Sequence, residues 1–274
     1  MVRKSASAAM TTDPNGQATT VATHDPIWSA VRAEAQAAAV CEPALGGFLF
    51  ATILSHARLE DAVCHRLAQR LNHSDLDAGL IGQMFAQVLA QRPQISDIFR
   101  ADLQAVHDRD PACTRFIEPL LYFKGFHALV THRFAHELWN QGRRDFALYL
   151  QSQSSRIFGV DINPATRMGR GIMLDHGTGI VIGETAVVGD NCSILQNVTL
   201  GGNGKETGDR HPKIGDNVLL AAGANDRRLA DDDTGAMIQH DAATHPRRRV
   251  DIHAEDPRRL ALQIEREITA PLIP

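Results

Sequence analysis

Residues 160–200 read VDINPATRMGRGIMLDHGTGIVIGETAVVGDNCSILQNVTL, and their spacing decides the fold. Aliphatic residues recur every six positions at Ile162, Met168 and Leu174 and, after a two-residue slip, at Ile182, Val188, Ile194 and Leu200. A polar insertion from Gly201 to Lys213 interrupts the series before Ile214 and Leu220 resume it. The next position is often tight-turning (Gly169, Gly183, Gly189, Gly215, Ala221), and four beyond each aliphatic sits a small or β-branched residue (Thr166, Thr178, Ala186, Cys192, Val198, Val218, Ala224). Strict alternation would predict flat strands and a 3.6 period would predict helices; a period of six suits neither. It is the signature of a parallel β-helix, in which short strands meet at turns and like positions stack coil on coil.

The chain of 274 residues is long enough for one or two domains with a sizeable core. A net charge of −4 and a pI near 6.3 argue against nucleic-acid or anionic-membrane partners. The longest apolar run, Leu45 to Leu54, is too short to span a bilayer, and no apolar segment follows Arg3 and Lys4 as a secretory signal would require. Four scattered cysteines (Cys41, Cys64, Cys113, Cys192) without a CxxC pattern predict reduced thiols and a cytoplasmic protein, with Cys192 in a packing role.

Upstream of the coils the period changes. Residues 1–24 are rich in Ser, Ala, Thr and Gly, and their composition predicts disorder. Asp25-Pro26 reads as a helix start, and an Ala-rich run follows to Val40. Further helices are predicted over 44–57, 59–72, 75–91, 94–107 and 117–155, so that 25–157 forms an all-helical domain of oligomerisation or substrate binding. The β-helix is expected over 158–224. From Asn225 the pattern fails, because the next positions in phase are Asp226 and Asp232 and charge is costly inside a narrow prism. Residues 225–274 are therefore expected to be irregular, and the β-helix truncated.

Three polar clusters interrupt the coils: Asp161, Asp175-His176 and Asp209-Arg210-His211. In Leu174-Asp175-His176 only the leucine holds an interior phase, so the other two fall on or near the turn. Histidine suits general-base work near neutral pH, and a carboxylate beside it fixes its tautomer and stabilises imidazolium. Asp161 lies about one coil upstream and is in reach of that ring by spacing. The bland alternative is that His176 is one surface histidine among thirteen. His132 and His136, four apart on a predicted helix, would make half a metal site with no third ligand evident, so no metal is expected. Phe123, Phe126 and Leu129 read as core, and Lys124 with Arg143-Arg144 as solvated or interfacial.

The strings LYFKGFHAL (121–129), LWNQGRR (138–144), GRGIMLDHGTGIVIGETAVVG (169–189) and SILQNVTLGG followed by DRHPKIG resemble serine acetyltransferase, over roughly residues 25–224. The resemblance implies a left-handed β-helix that trimerises, with helical domains joining two trimers into a hexamer. It implies acetyl transfer from the cosubstrate acetyl-CoA to the hydroxyl of L-serine, giving O-acetylserine for L-cysteine biosynthesis, with L-cysteine as feedback inhibitor. Matched residue by residue, His176 is the general base and Asp161 its carboxylate partner. Asp110, Asp175, Arg210 and His211 are serine-binding groups, and Gly201, Gly202, Gly204 and Lys205 lie beside the CoA arm. No permanently bound cofactor is implied.

The resemblance stops at Ala224, where further coils and a Gly-Val-Pro-Ala type segment would follow. The sequence turns instead to Asn225-Asp226-Arg227-Arg228 and an Arg/Asp/Ala/Pro-rich tail, as a shifted reading frame would produce; the coding DNA tests that reading. Loss of those coils predicts a weakened CoA site. Family members often dock a C-terminal isoleucine into O-acetylserine sulfhydrylase; Leu272-Ile273-Pro274 here places a proline there instead, which counts against that partner. Two other functions fit less well: a hexapeptide acetyltransferase of a sugar or xenobiotic, which would lack the helical domain, and a non-catalytic oligomeric regulatory protein.

Overall fold

The computed structural model describes residues 25–202 and 207–228, with the short strands at 11–12, 18–19 and 249–250. Of residues 1–24, β1 (Thr11–Thr12) and β2 (Ala18–Thr19) pair antiparallel, and the rest of the stretch expected to be disordered lies outside the described residues.

Helix α1 (Pro26–Cys41) begins where the sequence signals it, with the Asp25 carboxylate accepting from the Trp28 amide at 3.1 Å and proline in the first turn. The helix expected over 44–57 is broken into a 3₁₀ turn (Pro43–Leu45), the single turn α2 (Gly46–Leu49) and a π-helical turn (Phe50–Leu54). Next come α3 (Leu59–Leu71), α4 (Ala78–Gln91) and α5 (Ile95–Arg109). The long helix expected over 117–155 is three: α6 (Ile117–Leu121), α7 (Lys124–Asn140) and α8 (Arg144–Phe158). Its breaks have local causes. Phe123 is extended, with φ −80° and ψ 111°, and Gly142 takes a left-handed φ of 78° that glycine tolerates at no steric cost. Phe85, Phe99 and Phe134 stack at the centre of the helical core, with ring centroids 4.1 and 5.4 Å apart. Arg100 of α5 ties two other elements together, reaching the Asp25 cap at 2.7 Å and Glu60 of α3 at 3.0 Å.

Gly159, with φ 69°, ends α8 and turns the chain into the coils. Ten short strands follow up to Arg228: β3 (Val160–Ile162), β4 (Arg167–Met168), β5 (Met173–Leu174), β6 (Ile180–Ile182), β7 (Val187–Val188), β8 (Ser193–Ile194), β9 (Thr199–Gly202), β10 (Lys213–Ile214), β11 (Leu219–Leu220) and β12 (Asn225–Arg228). From β3 to β9 each pairs in parallel with the strand three later, and β11 pairs with β13 (Arg249–Val250), giving three sheets of order β12-β9-β6-β3, β10-β7-β4 and β13-β11-β8-β5. The chain thus visits three faces in turn and climbs. The hexad aliphatics fill the interior: Ile162, Ile182 and Leu200 stack on one face, and Leu174, Ile194 and Leu220 on another, all buried.

Two sequence expectations need correction here. Thr178 is exposed rather than interior, because the two-residue slip in the 175–179 turn hands the buried position to Ile180. The coil also runs past Ala224: β12 pairs with β9 in register Asn225↔Thr199 through Arg228↔Gly202, and β13 pairs with β11. Ladder pairing joins backbone groups whatever the side chains, so a sequence reading that follows side-chain phase places the stop too early. The other residues of 225–274 lie outside the described set.

The helical part is fixed to the coils by polar bonds as well as packing. Arg109 donates to the carbonyls of Gly171 at 3.0 Å and Cys192 at 3.2 Å. Buried Arg133 of α7 donates to those of Met168 at 2.7 Å and Gly169 at 2.5 Å, while buried Asp102 of α5 accepts from the Ile172 amide at 2.9 Å. No described helix is long and apolar enough to cross a membrane.

Candidate active site

The turn 175–179 carries His176. Its backbone sits at φ 55°, flanked by Gly177 at 73° and Gly179 at 77°, so the two-residue slip is taken up in left-handed conformations. A non-glycine residue there is uncommon and worth a functional question. The side chain is 76% exposed at a corner of the coil, and its Nε2 lies 3.9 Å from Asp175 Oδ1. Asp161, in β3 beneath this corner, accepts from Gln151 Nε2 of α8 at 2.6 Å, so the carboxylate that approaches His176 is that of Asp175.

The helical domain holds this turn from outside. Gly125, in the first turn of α7, lies so close that a Cβ there would stand 2.0 Å from the Leu174 carbonyl oxygen. Lys124 donates from Nζ to Thr178 Oγ1, so it is anchored here and not merely solvated. Val106 of α5, Cys113, Met173 and Phe123 form a small apolar cluster beside it. Asp110 ends α5 in that neighbourhood, with Oδ1 accepting from the Ala112 amide at 2.9 Å.

A second polar group forms at another corner, between β9 and β10. Arg210 donates from Nη1 to Glu184 Oε1 at 2.8 Å. His211 is buried, with its ring laid over Gly183, where a Cβ would meet the ring at 2.0 Å. Its Nδ1 is 2.8 Å from Thr185 Oγ1 and accepts the Thr185 amide at 3.3 Å. Burial, with the Arg210 charge behind it, holds the His211 pKa below the ordinary imidazole value. A cavity of about 280 Å³, lined by Arg167, Glu184, Thr185, Asp209 and Lys213 among others, opens beside this corner. Gly201 and Gly202 extend β9 towards it, and Gly204 and Lys205 lie outside the described residues.

The structure therefore brings His176 together with Asp175, and Arg210 with His211, but on different corners of one chain. Gly125, Gln151, Glu184 and Thr185 escaped the sequence reading as site residues, although three of them lie within the strings on which the family resemblance rests. His132 and His136 stand 5.8 Å apart, yet His132 is buried and His136 Nδ1 meets the Pro164 carbonyl at 2.8 Å. No cluster of metal-ligating side chains occurs among the described residues.

A serine acetyltransferase of Salmonella typhimurium is 51% identical over 198 residues, which cover 72% of each chain. This chain belongs to the serine acetyltransferase family. The family description "Serine acetyltransferase, N-terminal" matches residues 27–131, the bulk of the helical part. Serine acetyltransferase 4 of Arabidopsis thaliana is 53% identical over 203 residues, 74% of this chain and 57% of that one. The chain thus spans little more than half the length of that relative, and 61% of Arabidopsis serine acetyltransferase 2. Among solved structures, serine acetyltransferase from Brucella abortus in complex with coenzyme A superposes with a TM-score of 0.74 at 57% identity, covering 76% of this chain and 83% of that one. Soybean serine acetyltransferase complexed with serine superposes at 0.71 with 49% identity, covering 73% and 82%. Both superpose helical region and coils onto a family fold.

Proposed function

We propose that this family member is a serine O-acetyltransferase, moving acetyl from acetyl-CoA to the hydroxyl of L-serine and so supplying O-acetyl-L-serine for L-cysteine biosynthesis in the cytoplasm. The observation that carries the reading is the exposed His176, held in a left-handed turn beside Asp175 by the α7 terminus. Complexes of relatives with coenzyme A and with serine support the choice of substrates.

A serine hydroxyl attacks a thioester well only if its proton leaves as the bond forms. His176 takes that proton while the serine oxygen bonds to the acetyl carbon; the tetrahedral adduct collapses, the C–S bond breaks, and the imidazolium returns the proton to CoA sulfur. General-base help of this kind contributes about 10²- to 10⁴-fold. Asp175 stabilises the imidazolium from 3.9 Å, and Asp161, which accepts from Gln151 in the free chain, would join it by turning from that bond. Arg210 suits the substrate carboxylate in bidentate fashion and His211 can donate to it, while Asp110 and Asp175 attract the ammonium. The CoA arm runs beside Gly201 and Gly202.

The coil is read as left-handed and trimeric, with trimers joined through the helical domains into a hexamer. Trimer formation would set the His176 corner of one copy against the Arg210-His211 corner of the next, which answers their separation within a chain. L-Cysteine, isosteric with serine, is the expected feedback inhibitor at the same groups. The departure of the sequence from Asn225 onward implies a raised KM for acetyl-CoA, and the sulfhydrylase complex is not carried over.

The test is release of thiol from acetyl-CoA by the purified chain, with and without L-serine and with chloramphenicol or an amino sugar as control acceptors. Serine-dependent release lost in His176→Ala supports the proposal. Release that ignores serine, or survives the substitution, overturns it.

A further inference from the structure

The Gly183–Thr185 segment is moulded to one side chain. Thr185 Oγ1 accepts the backbone N–H groups of both Arg210 and His211, each at 3.2 Å. Its single proton is then left for His211 Nδ1, 2.8 Å away, and the Thr185 amide points at the same nitrogen from 3.3 Å. A backbone N–H can only donate, so Nδ1 is an acceptor, and a neutral imidazole with an accepting Nδ1 carries its proton on Nε2. The ring packs against Gly183, whose lack of a side chain makes room for it: any Cβ there would collide with Cδ2 and Nε2. Nε2 makes no hydrogen bond to any described residue within the chain.

We infer that Thr185 is a positioning residue for His211, fixing it as the Nε2–H tautomer so that it presents a donor to the carboxylate of the amino-acid substrate. Burial works in the same direction by disfavouring the doubly protonated ring. Glu184 and Arg210 are paired next to it, and Lys213 is held by the Thr185 carbonyl and Asp209, so the neighbouring charges are occupied. The threonine thus acts on the substrate through a histidine, much as a carboxylate orients a catalytic imidazole. The inference rests on the serine-binding reading for its kinetic consequence, but not for the tautomer itself.

Nitrogen NMR of the full chain labelled at histidine tests it, with the His211 signals identified by their loss in His211→Gln. Nδ1 should resonate as an unprotonated nitrogen and Nε2 as a protonated one; Thr185→Ser should keep that pattern, and Thr185→Val, which leaves only the 3.3 Å amide contact, should mix it with the Nδ1–H tautomer. In serine-dependent thiol release, Thr185→Val should raise KM for serine about tenfold, the worth of one hydrogen bond to a charged group. It should leave kcat little changed, with Thr185→Ser restoring KM. A protonated Nδ1 in the unsubstituted chain, or a Thr185→Val protein with unchanged tautomer and KM, overturns the inference. A chain with no serine-dependent release but the expected tautomer would instead overturn the serine reading and leave the positioning intact.

Discussion

Arg133 and Asp102 meet in a two-point contact, Nε to Oδ2 at 3.1 Å and Nη2 to Oδ1 at 3.2 Å, with both side chains buried between the helices and the first coil. Burial pushes the Asp102 carboxyl up, and the guanidinium and the backbone N–H groups of Ile172 and Gly171 pull it back. Removing one partner strands a charge, which typically costs about 3–5 kcal/mol. Arg133→Met should lower stability by that much in urea unfolding, since it also frees the carbonyls of Met168 and Gly169. A loss under about 1 kcal/mol would mean the pair is not what joins the two parts.

The close approach of Gly125 to Leu174 links helix packing to the turn that carries His176. A methyl at 125 would stand 2.0 Å from a backbone oxygen, which cannot yield as a flexible side-chain end would. Overpacking of this kind costs about 1–3 kcal/mol. The strain falls one residue from Asp175, so Gly125→Ala should lower kcat more than it raises KM for serine. Unchanged kcat in a folded Gly125→Ala protein would show that the turn holds its shape without the helix.

Buried histidines make the fold acid-sensitive. His127 is only 3% exposed, and burial lowers its pKa to about 3, although a hydrogen bond to the Leu120 carbonyl at 2.8 Å works the other way. His132 is lowered too, for the same first reason. The folded pKa lies below the unfolded one, so between about 3 and 6.5 the unfolded chain binds a proton that the folded chain refuses. Stability is therefore full above the unfolded pKa and falls as pH drops, by about 2 kcal/mol at pH 5 for His127 alone. Urea midpoints at pH 7 and 5 should differ less in His127→Gln than in the unsubstituted chain; equal differences would remove His127 as the source.

The phase of Ile162, Ile182 and Leu200 was readable because a coil interior admits only apolar residues at a fixed interval. Thr178 was misplaced for the complementary reason: a phase rule cannot see where a slip is absorbed, and left-handed backbone at His176, Gly177 and Gly179 took it up in the turn. Likewise, the strand at Asn225–Arg228 follows backbone pairing with β9, to which side-chain phase is blind. At the site, residue types suggested His176, Arg210 and His211. Thr185 and Gln151 stayed invisible, because each acts through a partner on a neighbouring coil or helix, and linear spacing carries no record of which side chains face across that gap.

The separation of His176 and His211 onto different corners gives the most discriminating experiment. His176 precedes β6, whereas His211 precedes β10, and these strands belong to different sheets. If serine is held between them, each working site needs His176 from one copy and His211 from another. His176→Ala and His211→Ala chains should each lack serine-dependent thiol release at ordinary serine concentrations. Unfolded together in equal amounts and refolded, they would, if the chain is the trimer proposed above, assemble at random, so that roughly a quarter of all interfaces join an intact His176 to an intact His211. Activity should return to about that fraction, whereas the two variants refolded separately and then mixed should stay inactive. No recovery from mixed trimers, confirmed by mass, would place both histidines' work within a single chain and require the two corners to be bridged by a movement the fold does not otherwise suggest.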